Sequence, residues 1–156
     1  MKNFKTYLIA ILIPLAVGGL AALLTSGNMM LYSEIVKPPL APPPILFPIV
    51  WTILYILMGI GSARVYLKKE AMPEKATNAL KTYILQLGFN FFWSLIFFNL
   101  RAFLFAFIWL IALWGLIIIM LFQFYKIDKI AAIINIPYFL WVTFAAYLNL
   151  AIYILN

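Results

Sequence analysis

Trp51, Tyr55, Met58 and Ser62 stand at i, i+4, i+7 and i+11, a spacing that places them on one face of a helix. Gln86, Asn90, Trp93 and Phe97 repeat the pattern. Trp141, Ala145, Asn149 and Ile152 stand at i, i+4, i+8 and i+11, again one helix face, with Tyr138 about one turn earlier. Each stripe joins a tryptophan to a hydrogen-bonding side chain. Taken singly, such a stripe is what interhelical packing produces, with Asn and Gln amides as hydrogen-bond glue. Three converging stripes describe an apolar aromatic pocket with a few fixed polar groups, the usual make-up of a ligand site. Its natural guest is flat, large and hydrophobic, because indole faces stack on flat π-systems. Trp109 and Trp114 lack such a partner pattern and are expected to face lipid or the membrane interface.

Other chemistries lack their residues. The chain has no cysteine and no histidine. Disulfides, thiolate catalysis and cysteine-ligated metals are excluded, and the commonest metal ligand and general base are missing. Glu34, Glu70, Glu74 and Asp128 are the only acidic residues, and all fall in predicted loops without metal-ligand spacing. No metal and no required cofactor are expected, and no intramembrane carboxylate is available for a proton relay.

The elements that must position these stripes are membrane helices. Mean hydropathy is +1.09 and only 10% of residues are charged, outside the soluble globular range. Apolar runs are continuous rather than alternating, which argues against a transmembrane barrel. Five stretches reach the ~20 residues that cross a ~30 Å hydrocarbon layer. They run roughly over 6–26, 44–67, 79–99, 102–125 and 130–155. The expectation is an all-α integral membrane protein: one five-helix bundle filling residues 1–156 as a single domain. Lys2 and Lys5 before an apolar run resemble a signal peptide. The run from Tyr7 to Leu24 is too long for a signal h-region, so it reads as a retained first helix.

With five spans, Lys2, Lys5, Arg64, Lys68, Lys69, Lys75, Lys81, Lys126 and Lys129 share one side. The other side has Lys37 and Arg101. Nine against two is a positive-inside signal for a cytoplasmic N-terminus and an external C-terminus. The +7 net charge therefore points to topology and anionic lipid headgroups, not to nucleic acid. In helix 1, Gly18 and Ala22 form a small-xxx-small pair read as packing within the bundle. The first connection, about Gly27 to Pro43, is long. It holds Lys37, Pro38, Pro39, Pro42 and Pro43. Prolines fix φ and remove amide donors, so this segment reads as a stiff lid over the mouth of the bundle.

Several motifs resemble one family. Lys37-Pro38-Pro39, Pro42-Pro43, Phe47-Pro48-Ile49-Val50-Trp51 and Leu54-Tyr55-Ile56-Leu57-Met58-Gly59 are similar to the translocator protein/tryptophan-rich sensory protein (TspO/MBR) family. So are Gln86-Leu87-Gly88-Phe89-Asn90-Phe91-Phe92-Trp93 and Ile136-Pro137-Tyr138-Phe139-Leu140-Trp141, followed by Phe144-Ala145-Ala146 and Leu148-Asn149. The match runs in order across essentially the whole chain.

The resemblance implies a bacterial cell-membrane protein that binds porphyrins and other flat hydrophobic molecules, including isoquinoline carboxamide and benzodiazepine-type drugs. Trp51, Asn90 and Trp141 match the family's pocket residues, and Tyr55, Trp93, Ala145 and Asn149 match further lining positions. In this reading Trp51 and Trp141 clamp the guest, and Asn90 and Asn149 donate hydrogen bonds to it. Light-dependent porphyrin oxidation is an alternative the family suggests, with Trp51 and Trp141 the candidate radical carriers. Passive transport of tetrapyrroles or sterol-like lipids is another. The family also implies a homodimer, although helix 3 offers no GxxxG-type seam. Three departures stand out: Leu40 replaces a family tryptophan, a helix-4 aspartate is replaced around Trp109, and no basic residue follows Lys129 to complete a sterol pattern.

Overall fold

A computed structural model describes residues 2–156; the side chain of Lys2, expected on the positive side, lies outside that description. The α-helices are α1 (Lys2–Thr25), α2 (Leu31–Glu34), α3 (Leu46–Tyr66), α4 (Pro73–Ser94), α5 (Phe103–Ile127), α6 (Lys129–Ile133) and α7 (Ile136–Leu155). No strand occurs among the described residues. Four stretches are long and apolar enough to cross a membrane: Asn3–Asn28, Leu46–Tyr66, Phe103–Ile127 and Lys129–Leu155. Their outward faces are apolar, with Phe4, Leu12 and Leu23 on α1 and Ile108, Ile119 and Phe122 on α5 all exposed. An apolar exterior on apolar helices is the mark of a multi-pass membrane protein.

Two expectations are corrected. The third stretch is not among the four apolar spans. It starts earlier, at Pro73, and carries Glu74, Lys75, Asn78 and Lys81 in its first turns, with Gln86 and Asn90 further in. It ends not as α-helix but in a π-helical turn over Leu95–Asn99, where the Leu100 amide donates to Leu95 O at 3.1 Å. Second, six α-helices of five residues or more are described where five were expected, because the last stretch is cut at Ile134–Asn135. Pro137 lacks the amide that would continue the helix, and its fixed φ suits the first turn of α7 instead. Asn135, fully buried, bridges the cut by donating Nδ2 to Ala131 O at 2.8 Å. Pro14, by contrast, leaves α1 unbroken.

Helix α1 packs on α3 and α4, and α5 packs on α4, α6 and α7. The α1–α3 contact is tight because Gly59 has no side chain. A Cβ there would meet the Ile11 backbone, and Ala10 O at 2.7 Å. At the opposite end from the Pro-rich segment, Asp128 is 6% exposed between α5 and α6. Its carboxylate accepts from Arg64 Nε at 3.0 Å and caps α6 through the Ala131 amide at 3.0 Å, with Lys68 Nζ at 3.4 Å. Burial pushes this carboxyl up, but the Arg64 and Ala131 hydrogen bonds and the Arg64 charge outweigh it. The net shift is below the ordinary 3.8. Asp128, expected in a loop, is thus a buried ionic cap, and Glu74 sits in the first turn of α4 rather than in a loop.

Two outcomes follow from this packing. Gly59→Ala should lower stability in detergent by about 1–3 kcal/mol through overpacking. Gly115→Ala, with nothing within 4 Å of the added Cβ, should be neutral or stabilising by about 0.5–1 kcal/mol. Equal melting temperatures for the two variants would refute the tight contact. Asp128→Asn should cost about 1–2 kcal/mol, a discounted figure because the Arg64 and Lys68 side chains are 30% and 45% exposed. Because the folded carboxyl sits below its ordinary value, its stabilisation is complete above about pH 5 and is lost as pH falls through the folded value. The melting-temperature gap between wild type and Asp128→Asn should therefore be flat from about pH 8 to 5 and close below about pH 4.

Candidate ligand cavity

A cavity of about 460 Å³ lies between α1, α3, α4 and α7, beneath the segment that joins α1 to α3. Helix α3 contributes Phe47, Trp51 and Tyr55, and α4 with its π-turn contributes Trp93, Phe97 and Phe98. Helix α7 contributes Trp141, Ala145, Asn149 and Ile152. Aromatic rings form a large part of the walls, beside small and aliphatic side chains. Trp51 stacks on Tyr55 with centroids 5.5 Å apart and meets Tyr138 edge-on at 6.2 Å. Tyr32, Phe47 and Trp141 form a second edge-to-face series at 5.2 and 6.0 Å. Such offset and edge-on arrangements are the favoured geometries of aromatic pairs.

Beneath the aromatic floor runs a hydrogen-bonded chain. Tyr55 Oη donates to Asn90 Oδ1 at 3.2 Å, Asn90 Nδ2 donates to Tyr138 Oη at 2.9 Å, and Tyr138 Oη donates to Gln86 Oε1 at 2.6 Å. Gln86, Asn90 and Tyr138 are buried and do not line the cavity; they hold its floor. At the side, Trp93 Nε1 donates to Asn149 Oδ1 at 3.0 Å, and Asn149 Nδ2 donates to Phe103 O at 2.8 Å. The amides of Asn90 and Asn149, expected to donate to a guest, are therefore already engaged within the protein. Thr25 and Thr52 hydroxyls likewise donate to Ala21 O and Pro48 O. Among the described residues, the indole N–H groups of Trp51 and Trp141 have no hydrogen-bond partner.

The sequence stripes thus land in two places. Trp51, Tyr55, Trp93, Trp141, Ala145 and Asn149 form wall, and Gln86, Asn90 and Tyr138 lie one layer below. Lys37, Pro38, Pro39, Pro42 and Pro43 do not touch the cavity, whereas Tyr32 and Pro44 do. Residues 35–45 are non-helical and are tied down by polar contacts. Tyr32 Oη donates to Pro42 O at 2.6 Å, Lys37 Nζ to Tyr32 O at 3.0 Å, and Tyr147 Oη to Pro39 O at 2.7 Å. The Asn156 side chain pairs with both Val36 N and Val36 O at 3.0 Å.

The α1 wall was not expected. Gly18, read from its spacing as a packing residue, faces the cavity and Tyr55: a Cβ there would overlap the Tyr55 ring, with Cδ2 at 2.8 Å. The small-xxx-small signal was visible, but one helix face serves both packing and cavity. Trp109 and Trp114 also depart from expectation, since each has a partner. Trp109 donates to Phe89 O at 2.8 Å and stacks on Phe89 at 4.4 Å, while Trp114 donates to Thr143 Oγ1 at 2.9 Å.

Known proteins place the chain. The TspO/MBR family profile matches residues 10–155. A tryptophan-rich protein TspO of Chlorobaculum tepidum is 35% identical over 99% of this chain and 98% of its own length. A tryptophan-rich protein TspO of Archaeoglobus fulgidus is 35% identical over 99% of both chains. Protein CrtK of Rhodobacter capsulatus is 36% identical over 80% of this chain and 78% of its own. An all-helical membrane fold, the tryptophan-lined cavity and similarity along nearly the full length lead to one conclusion: the chain belongs to the TspO/MBR family.

Proposed function

We propose that this protein is a multi-pass membrane binder and sensor of flat hydrophobic small molecules, with porphyrins the leading class, and that the aromatic cavity is the binding site. The observation that carries this reading is the pairing of saturated and unsaturated polar groups around an apolar space. The Asn149 amide in the wall is engaged internally, while the Trp51 and Trp141 indoles keep free donors. A guest with a flat apolar body and a carbonyl or ring-nitrogen acceptor suits such a wall. Asn90 and Asn149 then act by holding Tyr55 and Trp93 in place. The α4 stretch with its π-turn serves as a fifth span in a single domain, the nine-to-two charge asymmetry orients the N-terminus to the cytoplasm, and the Pro-rich segment acts as the lid.

Among the described residues, no cationic side chain lines the cavity. A carboxylate buried there would stay unpaired, which is strongly unfavourable. Charged ends of a porphyrin therefore stay at the rim, where Lys37 lies near Tyr32, and the apolar macrocycle occupies the cavity.

Tryptophan-quenching titration of the purified protein with protoporphyrin tests this. Saturable single-site binding is expected. Trp51→Phe, which keeps the ring and removes the N–H, should weaken it about three- to tenfold. Gly18→Ala should weaken it at least as much by pushing the Tyr55 ring off its stack. The dimethyl ester of protoporphyrin should bind at least as tightly as the diacid. Affinities that ignore both substitutions would refute the cavity as the site.

A further inference from the structure

Six residues lining the cavity are also exposed: Gly19, Ala22 and Met29 from α1 and the turn after it, Pro44 from the turn before α3, and Pro48 and Thr52 from the start of α3. No lining residue of α4, the π-turn or α7 is exposed; all are buried or half-buried. The openings are therefore confined to one seam. Pro48 and Thr52, one turn apart, share an edge of α3, and Pro44 lies in the turn that leads into it. Across from them, α1 offers a glycine and an alanine, the two smallest side chains. No hydrogen bond joins these α1 residues to these α3 residues among the described residues. Further along, Gly18 against Tyr55 and Gly59 against Ile11 close the seam tightly, so the gap occupies only the half near the lid. Gly19 lies six residues before the end of α1, and Thr52 six residues after the start of α3. At 1.5 Å per residue both are about 9 Å below the helix ends, at the depth of hydrocarbon rather than water.

The route through the lid is shut by contrast. The Asn156–Val36 pair and the Tyr147–Pro39 and Tyr32–Pro42 hydrogen bonds hold it. An ion pair between Arg101 and Glu34 at 3.6 Å lies at its edge.

We propose that the slot between α1 and α3 is the entrance to the cavity, and that hydrophobic guests reach it sideways from the bilayer while the lid stays closed. The inference rests on the cavity being the binding site. A guest partitioned into lipid meets the slot already desolvated, so it need not return to water to bind. An obstruction in an entrance raises the barrier in both directions. It slows association and dissociation by the same factor and leaves affinity nearly unchanged.

The test uses the full chain in lipid nanodiscs with protoporphyrin supplied from lipid vesicles, followed by stopped-flow tryptophan quenching. Ala22→Leu and Thr52→Leu, on opposite edges of the slot, should each slow association about tenfold and slow dissociation as well. Tyr147→Phe and Asn156→Ala, which loosen the lid outside the cavity, should leave both rates as in the wild type. Slot variants with unaltered rates, or lid variants that bind faster, would overturn the proposal while leaving the site intact. Absence of saturable binding in the wild type would instead refute the reading of the cavity, and the entrance with it.

Discussion

Lipid supplies no hydrogen bonds, so polar groups inside this bundle are satisfied best by partners within the protein. The chain from Tyr55 through Asn90 and Tyr138 to Gln86 meets that constraint across α3, α4 and α7. It also fixes the cavity floor, because Trp51 lies against two of its members, Tyr55 and Tyr138. The Trp93–Asn149–Phe103 series does the same for the side wall and reaches α5. Satisfied networks of this kind rigidify a core, and removing one member strands the others at a cost well above one hydrogen bond. The aromatic faces of the cavity are therefore positioned in part by residues that do not line it.

This division of labour explains which parts of the site were legible in the sequence. The stripes on α3, α4 and α7 carry Trp beside Asn or Gln at helical spacing, a conspicuous pattern in an apolar background. The pattern marks which face points inward but not at what depth each residue sits. Asn90 and Trp93 are one turn apart on one face, yet Trp93 is wall and Asn90 is floor. The α1 wall left almost no signature, because its contribution is the absence of side chains at Gly18, Gly19 and Ala22. Such an absence reads equally well as close packing.

Helix ends were less legible for a different reason. Asp128 looked like a loop residue because it interrupts two apolar runs, but its charge is satisfied by Arg64 and Lys68, sixty residues or more away in sequence. No local pattern announces such a partner. The cut at Ile134–Asn135 was announced by Pro137, but its repair by the Asn135 side chain depends on tertiary room beside Gly61. The segment before α3 was visible as a run of prolines, whereas its fastenings at Tyr147 and Asn156 belong to the far end of the chain.

The π-helical turn over Leu95–Asn99 carries one more residue than an α-turn would hold. That surplus lets Phe97 and Phe98, adjacent in sequence, both reach the cavity wall. It also brings Asn99 round to α1, where it donates to Leu24 O and accepts from Asn28. In evolutionary terms the turn has the form of a one-residue insertion near the end of α4. A chain that lost one residue here would wind as ordinary α-helix and rotate everything beyond it by about 100°. Phe98 and Asn99 would then face other neighbours, although every preceding motif in α4 would remain unchanged. Within this fold, the length of a five-residue segment sets the shape of the cavity as firmly as the identity of any tryptophan that lines it.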